Sequence, residues 1–215
     1  MTQGMQKRVE IAGPEGVLEA IVEYQPDPRY LAVICHPHPL FGGTMDNKVV
    51  TTLCRAARDN GGVALRFNFR GVGASQGVYS DGLGEVEDLL AAIHWLEREF
   101  PRLSLWLAGF SFGSFVAARG AASLSANDRP ARHLFLVAPP VHHFDFEGIA
   151  QTRCPVTVVQ GDDDEVVEAT QVHQWARGSE LAPDLIRFHD CGHFFHGRLN
   201  ELRDLAVTRL PNGVV

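Results

Sequence analysis

The chain has 215 residues, enough for one domain with a substantial core. Its 45% hydrophobic and 21% charged fractions exclude a disordered chain, and no apolar run reaches the roughly 18–20 residues of a membrane-spanning helix, so no membrane partner is expected. A net charge of −7 with no basic run argues against nucleic acid, whose phosphates need clustered Lys and Arg.

Short apolar runs alternate with longer amphipathic ones along the whole chain. Residues 8–11, 18–24, 31–35, 63–67, 103–108, 133–138, 156–160 and 185–189 are rich in Val, Ile, Leu and Phe and short enough to be strands. Several are apolar almost throughout, as parallel strands covered on both faces are. Helical patterns lie between them. Residues 47–59 carry Val49, Val50, Leu53, Ala56 and Ala57 on one stripe, and 85–100 place Val86, Leu89, Leu90, Ile93 and Leu96 at three- and four-residue spacing. Residues 112–124 are small and apolar, suiting close packing under a sheet, and 198–210 close the chain. This order predicts one domain over residues 1–215, an α/β fold with an open, mostly parallel twisted sheet of about eight strands flanked by helices. The ends before about Lys7 and after Pro211 read as loose.

The first residues lack the apolar stretch of a signal peptide, so a cytoplasmic location is expected. Cys35, Cys54, Cys154 and Cys191 are far apart, form no CxxC pair and read as reduced core residues. Ligands of such sheets bind beyond the carboxyl ends of the strands, which says where to look for chemistry.

The pattern Gly-x-Ser-x-Gly occurs twice, at Gly73-Ala-Ser75-Gln-Gly77 and Gly109-Phe-Ser111-Phe-Gly113. Context separates them. A nucleophilic serine on a tight turn needs a buried strand running in and a helix leaving at once. Residues 103–108 and 114–119 supply both for Ser111. Ser75 sits in a glycine-rich stretch that starts no helix and reads as a loop residue.

A serine hydroxyl attacks only when a base removes its proton and a third group orients that base. The acidic run 162–165 after a late strand offers the carboxylate. Asp164 is favoured, with Asp162 and Asp163 remaining possible. His193, after Gly192 in the loop before the last helix, is the expected base in preference to His196. Acyl transfer also needs two backbone N–H donors for the developing oxyanion. One is Phe112, after the nucleophile. The other should come from the loop His36-Pro-His-Pro-Leu-Phe-Gly-Gly, where the prolines have no N–H. That leaves His38, Leu40 and Phe41, with Leu40 favoured. The H-x-H of His36 and His38 has no third ligand at a recognisable spacing, so no metal is expected, and this chemistry requires no cofactor.

With those residues placed, the chain resembles the α/β-hydrolase superfamily over nearly its whole length. It is similar to a family of small bacterial serine hydrolases related to dienelactone hydrolases and serine esterases. The motifs that carry the resemblance are the 36–48 loop, Phe67-Asn-Phe-Arg-Gly-Val-Gly-Ala-Ser-Gln-Gly, the turn at Ser111, the 161–167 segment and Gly192-His-Phe-Phe-His-Gly. The resemblance implies Ser111, Asp164 and His193 as a triad and a structural turn over residues 70–75. It fixes no substrate.

Fifteen or so residues, 139–153, follow the strand ending at Ala138, too few for a cap domain. An open site is expected, with Phe41, Phe144, Phe146 and Phe194 as candidate walls. The leading expectation is a hydrolase of short or medium acyl esters, acting on a small-molecule substrate. The alternatives are thioesterase, amidase or peptidase, or perhydrolase chemistry on the same triad, or a non-catalytic ligand-binding member of the fold. A dinucleotide site fails on motif, because Gln76 stands where G-x-G-x-x-G needs its last glycine. Oligomeric state is not encoded in any pattern found.

Overall fold

A computed structural model describes residues 4–211. Eight strands, β1 (Met5–Gly13), β2 (Gly16–Tyr24), β3 (Tyr30–Cys35), β4 (Gly62–Phe67), β5 (Ser104–Phe110), β6 (His133–Val137), β7 (Val156–Gly161) and β8 (Asp184–Phe188), form one sheet in the order β1-β2-β4-β3-β5-β6-β7-β8. β2 is antiparallel to both β1 and β4, and every other pairing is parallel. The five helices are α1 (Lys48–Asp59), α2 (Leu83–Glu99), α3 (Phe112–Ala126), α4 (Ala169–Gly178) and α5 (Leu199–Val207).

The apolar runs explain the layering. In β3 all six side chains are buried, but they point alternately to two faces. Leu31, Val33 and Cys35 join Leu89, Ile93 and Leu96 of α2 and Val116 and Ala117 of α3 in one core. Tyr30, Ala32 and Ile34 join Val49, Val50 and Leu53 of α1 and Leu202 and Ala206 of α5 in the other. The sheet is therefore covered on both sides, as continuous apolar strands require.

Differences from the sequence reading lie at element ends. β1 starts at Met5, before the expected residue 8, because its pairing with β2 continues out to Tyr24 although its side chains are mostly exposed. β5 continues to Phe110, directly into the Ser111 turn. β6 ends at Val137, where Ala138 takes a left-handed φ of 48°. α4, between β7 and β8, is a helix that none of the helical patterns above marks. Between β6 and β7 the chain forms one 3-10 turn, Glu147–Ile149, and no cap. All four cysteines are free thiols, three of them buried. No helix among the described residues is long and apolar enough to cross a membrane.

Candidate active site

Every candidate group sits in a loop at the carboxyl end of a parallel strand. Ser111 lies between β5 and α3 at φ 54°, ψ −123°, a strained backbone for a residue with a Cβ. The flanking glycines are required by crowding. A Cβ on Gly109 would lie 2.1 Å from the Gly113 carbonyl oxygen, and one on Gly113 would lie 2.4 Å from that of Cys35. The turn is tied down by Ser111 N–H donating to Val137 O at 2.8 Å and by Ser114 Oγ bonding the carbonyls of Gly109 and Val137 at 2.8 Å each. Ser111 caps α3 without spending its hydroxyl on the helix amides. Ser75, by contrast, has its hydroxyl engaged on both sides, accepting from Glu19 N–H at 2.9 Å and donating to Asn68 O at 2.7 Å.

The four acids after β7 have separate partners. Asp162 pairs with Arg187 at 2.9 Å and with His189 at 2.6 Å on neighbouring β8 and its end. Asp163 is exposed, and its amide bonds Cys191 O at 3.1 Å. Asp164 faces inward. Its side chain is fully buried, and Oδ2 lies 2.9 Å from Nδ1 of His193, whose side chain is 3% exposed. Oδ1 accepts from the amides of Val166 at 2.9 Å and Val167 at 2.7 Å, and Oδ2 from Gln160 Nε2 at 3.0 Å. Burial pushes this carboxyl upward, but the bonds from His193 and the two amides outweigh it and hold the group below the usual aspartate range. A carboxylate that stays ionised can fix the imidazole with its proton on Nδ1 and leave Nε2 as the base. Glu165 adds a second tie, since its Oε2 accepts from the His193 backbone N–H at 3.1 Å. His196 is exposed in the same loop and does not reach the cavity.

Ser111 and His193 share a cavity of about 470 Å³. Its walls include Phe41, Phe112, Phe144, Val166 and Phe194, and none of its lining residues is Lys, Arg, Asp or Glu. Three of the four expected aromatic walls are therefore present. Phe146 is not one of them. It is 4% exposed and fills the space between Phe115 and Trp175, at centroid distances of 5.7 and 5.3 Å, bracing α3 against α4.

The loop after β3 also departs from expectation. Pro39–Phe41 forms a 3-10 turn, which points Leu40 outward at 68% exposure, and its amide donates to His38 Nδ1 at 3.2 Å. Leu40 is thus spent locally and lies off the cavity, in conflict with the expectation that it is the second oxyanion donor. The amides of Phe41 and Gly43 both turn back onto His38 O, at 3.1 and 3.0 Å. Among the described residues no acceptor is found for the His38 amide, and His38 lines the cavity. The loop is held tight at its end, where a Cβ on Gly43 would meet Pro37 O at 2.0 Å.

His36 has a structural task. It is fully buried, its Nε2 accepts from Phe69 N–H at 3.1 Å, and Nδ1 therefore donates to Pro37 O at 2.6 Å. Burial lowers its pKa to about 4, so the ring is neutral. Among the described residues no group of three His, Cys, Asp or Glu side chains is arranged to hold a metal. Gln160 and Glu165, which hold Asp164 and His193, carry no signal in the sequence, because nothing in a single Gln or Glu at a loop or strand end tells which atom it will meet.

No protein-family model matches the chain. Individual proteins do. An α/β serine hydrolase homologue from Coxiella burnetii is 44% identical, with a TM-score of 0.88 over 98% of this chain and 99% of that one. A serine hydrolase without lid from Xanthomonas campestris is 40% identical, with a TM-score of 0.85 over 94% and 91%. An uncharacterised protein of Rickettsia prowazekii is 36% identical over 214 residues, 93% of this chain and 88% of its own length. Together with the eight-stranded sheet and the absence of a cap, these likenesses show that the chain belongs to the α/β-hydrolase superfamily, among its small bacterial serine hydrolases without a lid.

Proposed function

We propose that the protein hydrolyses carboxylic esters with short or medium acyl chains, through an acyl-enzyme on Ser111. The observation that carries this reading is the solvent-excluded Asp164–His193 pair at 2.9 Å, opening onto the same apolar cavity as a serine on a strained strand-to-helix turn. Ser111 Oγ attacks the ester carbonyl carbon while His193 Nε2 takes its proton. Asp164 stabilises the imidazolium through Nδ1–H. The tetrahedral oxyanion accepts from the amides of Phe112 and His38, the latter replacing Leu40. The intermediate collapses as Nε2 returns the proton to the leaving alcohol. Water then enters and gives a proton to Nε2 as it attacks the acyl-Ser111 ester, and the acid is released as Nε2 returns that proton to Ser111 Oγ.

The absence of charged side chains from the cavity wall supports a neutral acyl group, because a charged one would lose its water without gaining a partner. The volume of about 470 Å³ supports chains of modest length. A fluorophosphonate probe followed by peptide mapping tests the nucleophile, and a single adduct on Ser111 is expected. Parallel turnover of a matched ester, thioester and anilide then tests the bond type, with the ester cleaved fastest. A folded protein that binds such compounds but forms no adduct and turns none over would replace this reading with a ligand-binding one.

A further inference from the structure

A backbone oxyanion donor is effective only if it is held still before charge develops. The loop that carries the His38 amide has little to hold it from outside. Leu40 and Phe41 are 68% and 86% exposed, and nothing lies within 4 Å of where a Cβ on Gly42 would be. Its anchor on the inner side is the His38 imidazole, and that ring is fixed at both nitrogens. Leu40 N–H donates to Nδ1, so the neutral ring carries its proton on Nε2, and Nε2 donates to Tyr79 Oη at 3.2 Å. Tyr79 belongs to the connection between β4 and α2 and does not line the cavity.

The same imidazole touches the other donor-bearing residue. Its centroid lies 4.9 Å from the Phe112 ring and 5.0 Å from the Tyr79 ring, and Tyr79 and Phe112 are 5.9 Å apart. The His38 ring is thus a spacer between the residues whose amides would share the oxyanion. Tyr79 Oη is the group outside the loop that fixes the rotation of that spacer. Burial pushes the Tyr79 phenol up to about 12, so it stays protonated throughout the neutral range.

We propose that Tyr79 is a positioning residue for the oxyanion hole, acting through its hydroxyl on His38 Nε2 to set the His38 amide against that of Phe112. This rests on the ester-hydrolase reading. A residue that merely packs would be replaced by Phe without loss, since the ring contacts survive. The hydroxyl role makes a different prediction.

Tyr79→Phe is expected to lower kcat for a p-nitrophenyl ester about tenfold, less than the loss of a whole donor, with KM within about twofold of wild type. His38→Asn keeps a side-chain oxygen able to accept from Leu40 N–H but too short to reach Tyr79, and a similar loss is expected. The double variant Tyr79→Phe/His38→Asn should be no slower than His38→Asn alone, because the hydroxyl would act through a ring no longer there. Wild-type kcat in Tyr79→Phe, a loss confined to KM, or multiplying losses in the double variant would overturn the assignment while leaving the hydrolase reading intact. A wild-type protein with no turnover and no Ser111 adduct would overturn both, and that result is seen before any Tyr79 variant is made.

Discussion

Residues 73–77 and 109–113 spell the same five-residue pattern and use it in opposite ways. Around Ser75 the turn consumes its polar groups internally. Its hydroxyl bridges Asn68 O and Glu19 N–H, Ala74 N–H donates to Glu19 Oε2 at 3.0 Å, and nearby Arg70 is locked to the fully buried Asp88 at 2.8 Å. Around Ser111 the bonds that fix the turn come from backbone and from Ser114, and none of them uses the hydroxyl of Ser111, a residue that lines the cavity. A serine becomes available for chemistry when the groups around it supply the turn's hydrogen bonds in its place.

The largest expected effect is on the side of Ser111. Ser111→Ala should lower kcat for a good ester substrate by on the order of 10⁶, the scale seen when a triad serine is removed elsewhere. Steady-state assay at high enzyme concentration, with Ser75→Ala made in parallel, checks it. Residual activity near wild type in Ser111→Ala would dissolve the distinction between the two turns. Next comes Asp164→Asn. It keeps the shape but presents His193 Nδ1 with a side chain that can also donate, favouring the wrong tautomer, and a loss of about 10⁴ in kcat is expected. Asp162→Asn, which breaks contacts to Arg187 and His189 on the sheet edge, should change kcat by less than about threefold. Equal losses in the two variants would mean that the acid has been misassigned.

The third effect concerns stability and belongs to the structural turn, which His36 buttresses through Phe69 N–H. The folded-state pKa of His36 is depressed from 6.5 to about 4. Between those values the unfolded chain binds a proton that the native ring refuses, so stability falls as pH drops from about 6.5 to 4 and levels off below. At pH 4.5 relative to pH 7 this amounts to about 2 kcal/mol, from about 1.4 kcal/mol per unit. Urea unfolding at the two pH values should show it, and His36→Gln should flatten the dependence by that amount. His133, also lowered to about 4 by burial, leaves a residual slope of the same sign in both proteins. An unchanged slope in His36→Gln would rule out the buried neutral ring.

The same contrast explains what the sequence could reveal. Strands β3 and β4 are apolar at every or nearly every position, and burial on both faces leaves no other reading for so short a run. The tight turn at Ser111 was legible because strand, turn and helix are consecutive in the chain. Asp164 was legible only to within three residues, because which acid turns inward depends on amides at Val166 and Val167 that no side-chain pattern announces. α4 has two buried apolar side chains beyond its first turn, Val172 and Ala176, too few to mark a stripe among Thr, Gln and His. Leu40 was misjudged because a 3-10 turn decides where its N–H points, and Phe146 because an aromatic near a cavity and one behind its wall look alike in sequence.

The smallest effect is the one that completes the contrast. Ser75→Ala leaves the Glu19 amide without its acceptor and removes the donor to Asn68 O, in a site that is 7% exposed. An unsatisfied buried group of this kind costs about 1–3 kcal/mol, and partial access to water at the β2 side places the loss near the lower end, about 1.5 kcal/mol. For a chain of this size the melting midpoint should drop by roughly 3–6 °C. Catalysis should not follow. Ser75 does not line the cavity, so kcat and KM measured well below the midpoint should match wild type. A variant that melts lower yet turns over normally would assign Ser75 to the scaffold. One that melts normally and loses activity would mean that Ser75 had been misread and belongs to the chemistry.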